Sequence, residues 1–221
     1  MSLIRLQPLE GRSDFARSLF WDNMLIGQPL PFALNCQEQF ERFCIGWYLA
    51  NPRDSVVAVN GNQIVGYALV CTDHESFKRS ERRNIVVLAF AILGAVLSLR
   101  INRQSLEFFA RRLFDSFSIV MSRRAIPDDV NVHAHVNVAH AHHDGTVARM
   151  LRDHIDTTCL GLGRSGWFGE MNAVGGSRIV GIQRVVGKVV SVSRNSTFSW
   201  LMGEPVSRLT TVRTVTDDQA A

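Results

Sequence analysis

Residues 133–151 read HAHVNVAHAHHDGTVARML, in which an extended segment runs into a polar turn and then into a helix. Apolar and polar side chains alternate through residues 130–138, which predicts a β-strand. Gly145 begins a segment whose apolar residues recur at helical spacing, at Val147, Leu151 and Ile155. This spacing predicts a helix from Gly145 to about residue 156. Free amides and the positive dipole end at its start form an anion site suited to a pyrophosphate.

A β-hairpin is predicted just upstream. Two segments rich in β-branched residues, Ser55–Val59 and Gln63–Val70, flank the turn Asn60-Gly61-Asn62. Asn-Gly between such segments is a strong hairpin signal, because a type I′ turn needs positive φ at both central residues. We therefore expect two antiparallel strands joined by a type I′ turn.

The other periodic segments complete a mixed order of strands and helices. Strands are predicted at Ile4–Leu9, Trp167–Asn172, Lys188–Val192, Thr197–Met202 and Val206–Val215. Helices are predicted at Ser13–Ile26, at Cys36–Leu49 and, with Ser177 as the N-cap, to about Val186. The resulting order, β-α-α-β-β-(αα)-β-α-β-α-β-β, predicts an α/β (α+β) fold with a mixed sheet.

Residues 78–124 stand out as a basic insertion. They hold ten Lys or Arg residues against three acids, a net charge of +7, whereas the whole chain carries +4. The rest of the chain therefore carries −3. We expect the basic side chains to be solvated surface, with an acidic partner, an acidic substrate or a membrane surface as the alternatives. Because the basicity belongs to this segment alone, nucleic-acid binding is not expected.

Two helices are predicted within this insertion. Ile85–Leu99 is an almost wholly apolar run, shorter than the about 17–25 residues of a membrane span. We expect it to form a buried or packed helix. A membrane-dipping segment is the alternative, because basic residues flank both ends. The second helix, Ser105–Val120, has its apolar residues on one face, namely Leu106, Phe109, Leu113, Phe114 and Phe117. The two helices are expected to form a helical hairpin.

Length and composition limit which classes of protein this chain can belong to. The chain has 221 residues, 46% of them hydrophobic, which predicts a single domain over 1–221 with the insertion at about 78–124. Four cysteines without a C-x-x-C pair predict reduced thiols. The first residues lack an apolar run like that of a signal peptide, which predicts a cytoplasmic location. Six of the seven histidines lie within 133–154, but without partners at metal-ligand spacing, so no metal is expected.

Taken together, these segments resemble the GCN5-related N-acetyltransferase (GNAT) superfamily. The predicted element order is similar to that of the family, residues 56–68 resemble its second and third strands, and residues 133–138 resemble its fourth. Residues 143–151 resemble its acyl-CoA loop and the following helix. The resemblance covers about 170 residues once 78–124 is set aside. It implies a mostly antiparallel sheet flanked by helices, acetyl-CoA as co-substrate, a small-molecule or protein amine as acceptor, and a homodimer as one oligomeric state.

The resemblance also implies how acetyl-CoA binds. Val136, Asn137 and Val138 would bind the pantetheine arm, with backbone groups of Val136 and Val138 pairing with it like an added strand. Amides of the following turn would hold the pyrophosphate, namely those of His143, Asp144, Gly145, Thr146, Val147 and Ala148. Asn172, just after the fifth strand, would contact the arm.

The acyl-CoA loop departs from the family pattern Gln/Arg-x-x-Gly-x-Gly/Ala. His143 stands at the Gln/Arg place, Thr146 at the central Gly and Ala148 at the final Gly/Ala. Only Ala148 fits, unless the turn shifts by one residue so that Gly145 serves as the central glycine. The loop is therefore degenerate, although its backbone amides exist whatever the side chains are.

Three residues are candidates for proton transfer. His133 and His135 point to the same face of one strand, and this H-x-H pair is similar to that of the arylalkylamine N-acetyltransferase branch, where the histidines serve a proton path. An ordinary histidine pKa near 6.5 suits that task. Glu170 is the second candidate base. The alternatives are structural histidines and a solvated or hydrogen-bonded Glu170.

The general acid of the family, a Tyr before a Gly-Phe pair in the last helix, has no counterpart. Gln183 stands at the Tyr place and Lys188 at the Phe place, so water, Cys159 or a serine must substitute if protons return to the thiolate. Two other functions stay open. One is a catalytically degenerate domain that binds CoA or a partner, and the other is a membrane-surface module built on Ile85–Leu99.

Overall fold

One sheet carries the fold. The computed structural model describes residues 3–142 and 145–215. Its strands are β1 (Ile4–Pro8), β2 (Val56–Asn60), β3 (Gln63–Cys71), β4 (Val132–Val138), β5 (Gly166–Val174), β6 (Lys188–Arg194) and β7 (Val206–Thr214). Its helices are α1 (Ser13–Asp22), α2 (Gln37–Cys44), α3 (Gly46–Ala50), α4 (His74–Leu97), α5 (Arg103–Arg123), α6 (Thr146–Gly161), α7 (Gly175–Val185) and α8 (Ser196–Met202).

The strand order is β1-β2-β3-β4-β5-β7-β6. Neighbouring strands are antiparallel throughout, apart from the parallel pair β4–β5. The predicted mixed, mostly antiparallel α/β sheet flanked by helices is confirmed, and the helical insertion lies between β3 and β4 as α4 and α5.

Alternation along the central strands separates two cores on opposite faces of the sheet. Tyr67 and Leu69 of β3 pack with α1, α2, α3 and the start of α4. Ala68 and Val70 point the other way, into a core that α6 covers with Val147, Leu151, Ile155 and Cys159. The predicted spacing of apolar residues on α6 is thus the face that it buries.

The hairpin β2–β3 is confirmed, but its turn is not type I′. Asn60 still pairs with Gln63, so the loop consists of Gly61 and Asn62. Gly61 has φ of +61°, whereas Asn62 is not among the residues with positive φ. A type I′ turn needs both. A register shift between Ala58 and Val59 accompanies this arrangement.

The segment predicted as a strand at Thr197–Met202 is a helix, α8. Its Thr, Phe and Trp residues favour strands locally, but two capping interactions prevail. The Asn195 side chain accepts a hydrogen bond from the Phe198 amide. The buried Asp115 carboxylate of α5 accepts hydrogen bonds from the amides and hydroxyls of Ser196 and Thr197. These bonds satisfy the first-turn amides of a helix.

Other helix limits also differ from expectation. The predicted helix Cys36–Leu49 is broken at Ile45 into α2 and α3, and α1 ends at Asp22 rather than at Ile26. α7 begins at Gly175, and Ser177 does not cap it, because Val174 is its N-cap residue.

The apolar run Ile85–Leu99 was expected to be buried or packed, but most of its large side chains are exposed. α4 begins earlier, capped by Asp73, and between Ile85 and Leu99 only Leu88 is fully buried among its large apolar residues. On α5 the expected apolar face is likewise outside, since Phe109 is buried but Leu106, Leu113, Phe114 and Phe117 are exposed. The cores are filled by other side chains, including Phe77 and Phe108. No helix within the described residues is long and apolar enough to cross a membrane.

Candidate functional site

The two parallel strands at the centre of the sheet separate after two residue pairs. β4 and β5 pair at Val132–Trp167 and His133–Phe168, and no later pair joins them within residues 3–142 and 145–215. A cavity of about 810 Å³ opens there, lined by residues 133–138 of β4 and by Glu170, Met171 and Asn172 of β5. At Val136, β4 therefore has β3 on one side and the cavity on the other.

One end of the cavity is strongly positive. Gly145, the N-cap residue of α6, has φ of +85° and lines the cavity together with Ala148. Three arginines line the same cavity: Arg149 of α6 beside Gly145, Arg178 of α7, and Arg152 of α6, whose guanidinium pairs with Asp153. An α-helix start with nearby arginines favours phosphate oxygens, through amides, dipole and charge together.

The remaining residues expected at the pyrophosphate divide into three cases. His143 and Asp144 lie outside the described residues. Val147 has a fully buried side chain, packed so closely on Gly66 that a Cβ there would approach Val147 Cγ1 to 2.9 Å, so only its backbone can serve a ligand. The Thr146 hydroxyl accepts a hydrogen bond of 3.5 Å from Arg149 Nη2.

His133 lies among aromatic side chains, at the last residue pair that joins β4 and β5. Its Nδ1 is 2.7 Å from the Tyr48 hydroxyl, and its ring stacks on Phe168 with centroids 4.7 Å apart. Burial, assisted by the charge of Arg123, lowers the pKa of His133 well below its ordinary value. The imidazole is therefore neutral at pH 7.

His135, two residues further along, is on the same face and also lines the cavity. It stacks on Tyr67 with centroids 5.7 Å apart and contacts Phe20. Within the described residues, its buried Nδ1 has no hydrogen-bond partner. Burial lowers the pKa of His135 to about 4. The expected pKa near 6.5 is thus wrong for both histidines, because the aromatic surroundings disfavour the charged form.

Glu170 is held in a three-residue ion pair. Its Oε1 accepts a hydrogen bond of 2.9 Å from Arg123 Nε, and Arg123 Nη1 lies 3.4 Å from Glu81 Oε1. Burial disfavours the Arg123 charge, but the Glu170 and Glu81 carboxylates outweigh it and raise the pKa of the guanidinium. All three line the cavity. Arg123 and Glu81 belong to the insertion, where cations were expected to be solvated surface, and no sequence motif marked them.

Two asparagines expected near the pantetheine arm also line the cavity. The Asn172 side-chain oxygen accepts a hydrogen bond of 2.8 Å from Asn195 Nδ2, which orients its amide. Asn137 donates a hydrogen bond of 3.4 Å to the Tyr67 hydroxyl. The structure therefore brings Asn137, Asn172, Glu170 and both histidines to one cavity.

Arg208 of β7 is a further cavity residue that the sequence did not reveal. Its side chain is buried, and its Nη2 has no hydrogen-bond partner among the described residues, although Asp115 lies 3.8 Å away. Burial lowers the pKa of Arg208 to about 10. Arg208 belongs to no sequence motif within β7, so the sequence did not indicate that it lines the cavity.

The residues at the family's Tyr and Phe places lie outside the cavity, and so does Cys159, the thiol considered as a substitute for the Tyr. Gln183 and Lys188 are exposed and do not line the cavity. Cys159 is fully buried in the core under α6, where burial raises the pKa of its thiol to about 12. Ser116, a serine of the kind considered as a substitute, lines the cavity, as does the thiol of Cys44. Among the described residues, no group of three or more His, Cys, Asp or Glu could hold a metal ion.

Comparisons by sequence and by structure give different results. No family model and no curated protein matches this chain. Solved structures match over nearly its whole length. An agmatine N-acetyltransferase mutant in its apo form has a TM-score of 0.57 at 12% identity, covering 96% of this chain and 99% of that chain. The polyamine N-acetyltransferase of Drosophila melanogaster has a TM-score of 0.54 at 16% identity, with coverage of 96% and 100%.

A third structure, yncA, a putative acetyltransferase from Salmonella typhimurium with its cofactor acetyl-CoA, has a TM-score of 0.52 at 10% identity, covering 97% of this chain and 95% of that one. The chain has the GNAT fold. Within this GNAT fold, Glu81 of α4 and Arg123 of α5 line the cavity. The insertion therefore contributes to the candidate site as well as to the surface.

Proposed function

We propose that this protein is an acyl-CoA-dependent N-acyltransferase that transfers an acetyl group from acetyl-CoA to an amine. The observation that carries the proposal is the open edge of β4, which leads from the positive start of α6 to Glu170 and the two histidines. The acetyltransferase structures of the same fold support it, including the one with acetyl-CoA.

In this proposal each part of acetyl-CoA has a complementary surface. The pantetheine amides pair with backbone groups of β4 at Val136 and Val138, in the manner of an added strand, while Asn137 and Asn172 contact the arm. The pyrophosphate lies at the start of α6, against the amides from His143 to Ala148. Arg149, Arg152 and Arg178 neutralise the phosphate charge.

The reaction requires an unprotonated amine next to the thioester carbonyl. The amine nitrogen attacks the carbonyl carbon, the C–S bond breaks, and the proton lost by the amine passes to a base while the thiolate of CoA gains one. We assign the proton path to Glu170, His135 and His133. The histidines supply neutral acceptors and Glu170 the negative charge.

The acceptor end of the cavity suits a small amine. Glu81 and Glu170 place two carboxylates there, beside the guanidinium groups of Arg82, Arg112, Arg123 and Arg208, which line the same cavity. The neighbouring structures named for agmatine and polyamine acetylation support this class of acceptor. A protein amine is the other acceptor class, and a homodimer and a cytoplasmic location remain predictions.

Thermal unfolding with acetyl-CoA, against free CoA and ADP, tests the binding step. A ligand at about 100 times its Kd adds about 2.7 kcal/mol, which raises the Tm by about 5 to 10 °C in a chain of this size. Release of the CoA thiol with a panel of mono-, di- and polyamines then tests transfer. No shift with millimolar acetyl-CoA would refute the proposed binding site.

The His135→Gln variant separates catalysis from binding. Loss of a proton relay should lower turnover by about 10²-fold or more while the Kd for acetyl-CoA stays the same. Equal losses of turnover, affinity and Tm would instead assign His135 a structural role.

The second candidate function is CoA binding without transfer. Thr146 at the central glycine position of the loop favours it, as does the absence of a Tyr at the described cavity walls. Stabilisation by acetyl-CoA combined with no thiol release from any amine in the panel would select this function.

A further inference from the structure

The outward faces of α4 and α5 are apolar. On α4, Val86, Phe90, Leu93 and Leu97 follow one another at helical spacing and are between 51% and 75% exposed. On α5 the same holds for Leu106, Leu113, Phe117 and Val120, between 46% and 70% exposed. We call these eight side chains the outer face. Each helix thus carries an exposed stripe of four large apolar side chains, whereas exposed apolar residues on soluble proteins are usually scattered singly.

The outer face is bordered by arginines. Arg79, Arg82 and Arg83 precede Val86 by seven, four and three residues, which places them on the same side of α4. Arg100 and Arg103 lie at the other end of the pair. All five are exposed, and none forms an ion pair with any residue that the structure describes.

The acids of this segment do not offset these charges. Glu107 pairs with Arg111, and Glu81 pairs with Arg123 at the cavity. Asp115 is buried and accepts hydrogen bonds from Ser196 and Thr197. The uncompensated charge around the outer face is therefore positive.

We propose that the outer face binds the surface of an anionic lipid bilayer. Apolar side chains would enter the boundary between headgroups and acyl chains, and the flanking arginines would contact lipid phosphates. A second copy of the chain is disfavoured as the occupant, because it would bring a second set of uncompensated arginines to the same place.

The binding site for the amine is near this surface. Ile85 and Val120 are exposed and also line the cavity. Attachment through α4 and α5 would therefore bring the acceptor end of the cavity close to the lipid headgroups. The bilayer contact itself does not depend on the chain being an acetyltransferase.

Co-sedimentation of the full chain with vesicles tests the proposal. The vesicles are phosphatidylcholine alone, or phosphatidylcholine with about 30 mol% phosphatidylglycerol. We expect binding to the anionic vesicles, weakened at about 0.5 M salt, which screens the arginine–phosphate attraction. No sedimentation with anionic vesicles at low salt would overturn the proposal.

Matched variants locate the contact. Val86→Gln with Phe90→Gln removes a Val and a Phe of the outer face, and should weaken vesicle binding by about tenfold or more. Phe15→Gln with Val192→Gln changes the same residue types at exposed positions elsewhere and should leave vesicle binding unchanged. Circular dichroism confirms that both fold.

Three results contradict the bilayer contact. They are equal loss of vesicle binding in both double variants, equal sedimentation with phosphatidylcholine alone, and a dimer in analytical ultracentrifugation that Val86→Gln with Phe90→Gln abolishes while vesicles do not bind. The last result would assign the outer face to a second copy.

Discussion

Arg123 Nε lies 2.9 Å from Glu170 Oε1, so a guanidinium from the last turn of α5 contacts a carboxylate on the central sheet. The contact joins the insertion to the candidate site. Since Arg123 also lies 3.4 Å from Glu81 of α4, one cation holds both inserted helices against β5. The insertion is therefore part of the geometry that presents Glu170 to the cavity.

Replacing Arg123 with Gln should impair amine transfer more than acetyl-CoA binding. Without the cation, two carboxylates face each other and Glu170 loses its fixed position. We expect kcat/KM for the amine to fall about tenfold or more, with the acidic limb of its pH profile displaced to higher pH. Steady-state kinetics across pH measure both.

Two further variants accompany that measurement. Arg123→Lys keeps the charge and should restore part of the activity, whereas Arg194→Gln removes an exposed cation on β6 and should change nothing. An unaltered pH profile in Arg123→Gln would contradict the positioning role.

The low pKa of His135 predicts how stability depends on pH. The folded pKa is about 4, and the unfolded value is about 6.5. Between these values the unfolded chain binds more protons, so stability is fully present above pH 6.5 and is lost as the pH falls towards 4. The loss from this group is on the order of 1–3 kcal/mol.

Urea unfolding from pH 7.5 to 4.5 measures this loss. His135→Gln cannot titrate, so its free energy of unfolding should fall less over that interval than that of the unaltered chain. Parallel curves for the two proteins would mean that His135 does not carry a lowered pKa.

Gly145→Ala should weaken acetyl-CoA binding. Gly145 has φ of +85°, and an alanine there is strained by about 1–2 kcal/mol, so the turn must rearrange where the pyrophosphate is proposed to lie. Its Cβ would approach Arg149 Nη1 to 3.3 Å. We expect the Kd, measured by calorimetry, to rise by about tenfold.

Gly163→Ala is the matched control for that change. Gly163 also has positive φ, and nothing lies within 4 Å of an added Cβ. It should lose similar stability but keep the Kd for acetyl-CoA. An unchanged Kd in Gly145→Ala would remove the start of α6 from the proposed binding site.

Asp115→Asn should destabilise the fold. Burial disfavours the Asp115 charge, but hydrogen bonds from Ser196 and Thr197 outweigh it and lower the pKa of the carboxyl. An amide cannot accept all four of these bonds, and Arg208 loses one of the two carboxylates, Asp115 and Glu170, that stabilise its charge. We expect a loss of about 2–4 kcal/mol by urea unfolding, against no change for the exposed Asp128→Asn. A loss under 1 kcal/mol would contradict the capping role of Asp115.

Local sequence determined much of the sheet. Three local features predicted its elements. They are the strict alternation in Val132–Val138, the Asn-Gly turn before β3, and the helical spacing of Val147, Leu151 and Ile155. Each depends only on residues close together in the chain. The same patterns predicted a mixed α/β sheet and the face shared by His133 and His135, and the resemblance of these segments to the GNAT superfamily implied its fold. Periodicity is a local property, so it can be read without knowing what packs against it.

Tertiary structure decided the rest. The helix α8 depends on Asp115, which lies about 80 residues earlier in the chain, and the Glu170–Arg123 contact spans 47 residues. The lowered pKa values of the histidines arise from burial among aromatic rings on α1, α3, α4, β3 and β5. The apolar side chains of α4 and α5 face outwards because Phe77, Leu88, Phe108 and Phe109 already fill the core. Charge pairing and burial depend on residues brought together from distant parts of the chain, which local patterns do not encode.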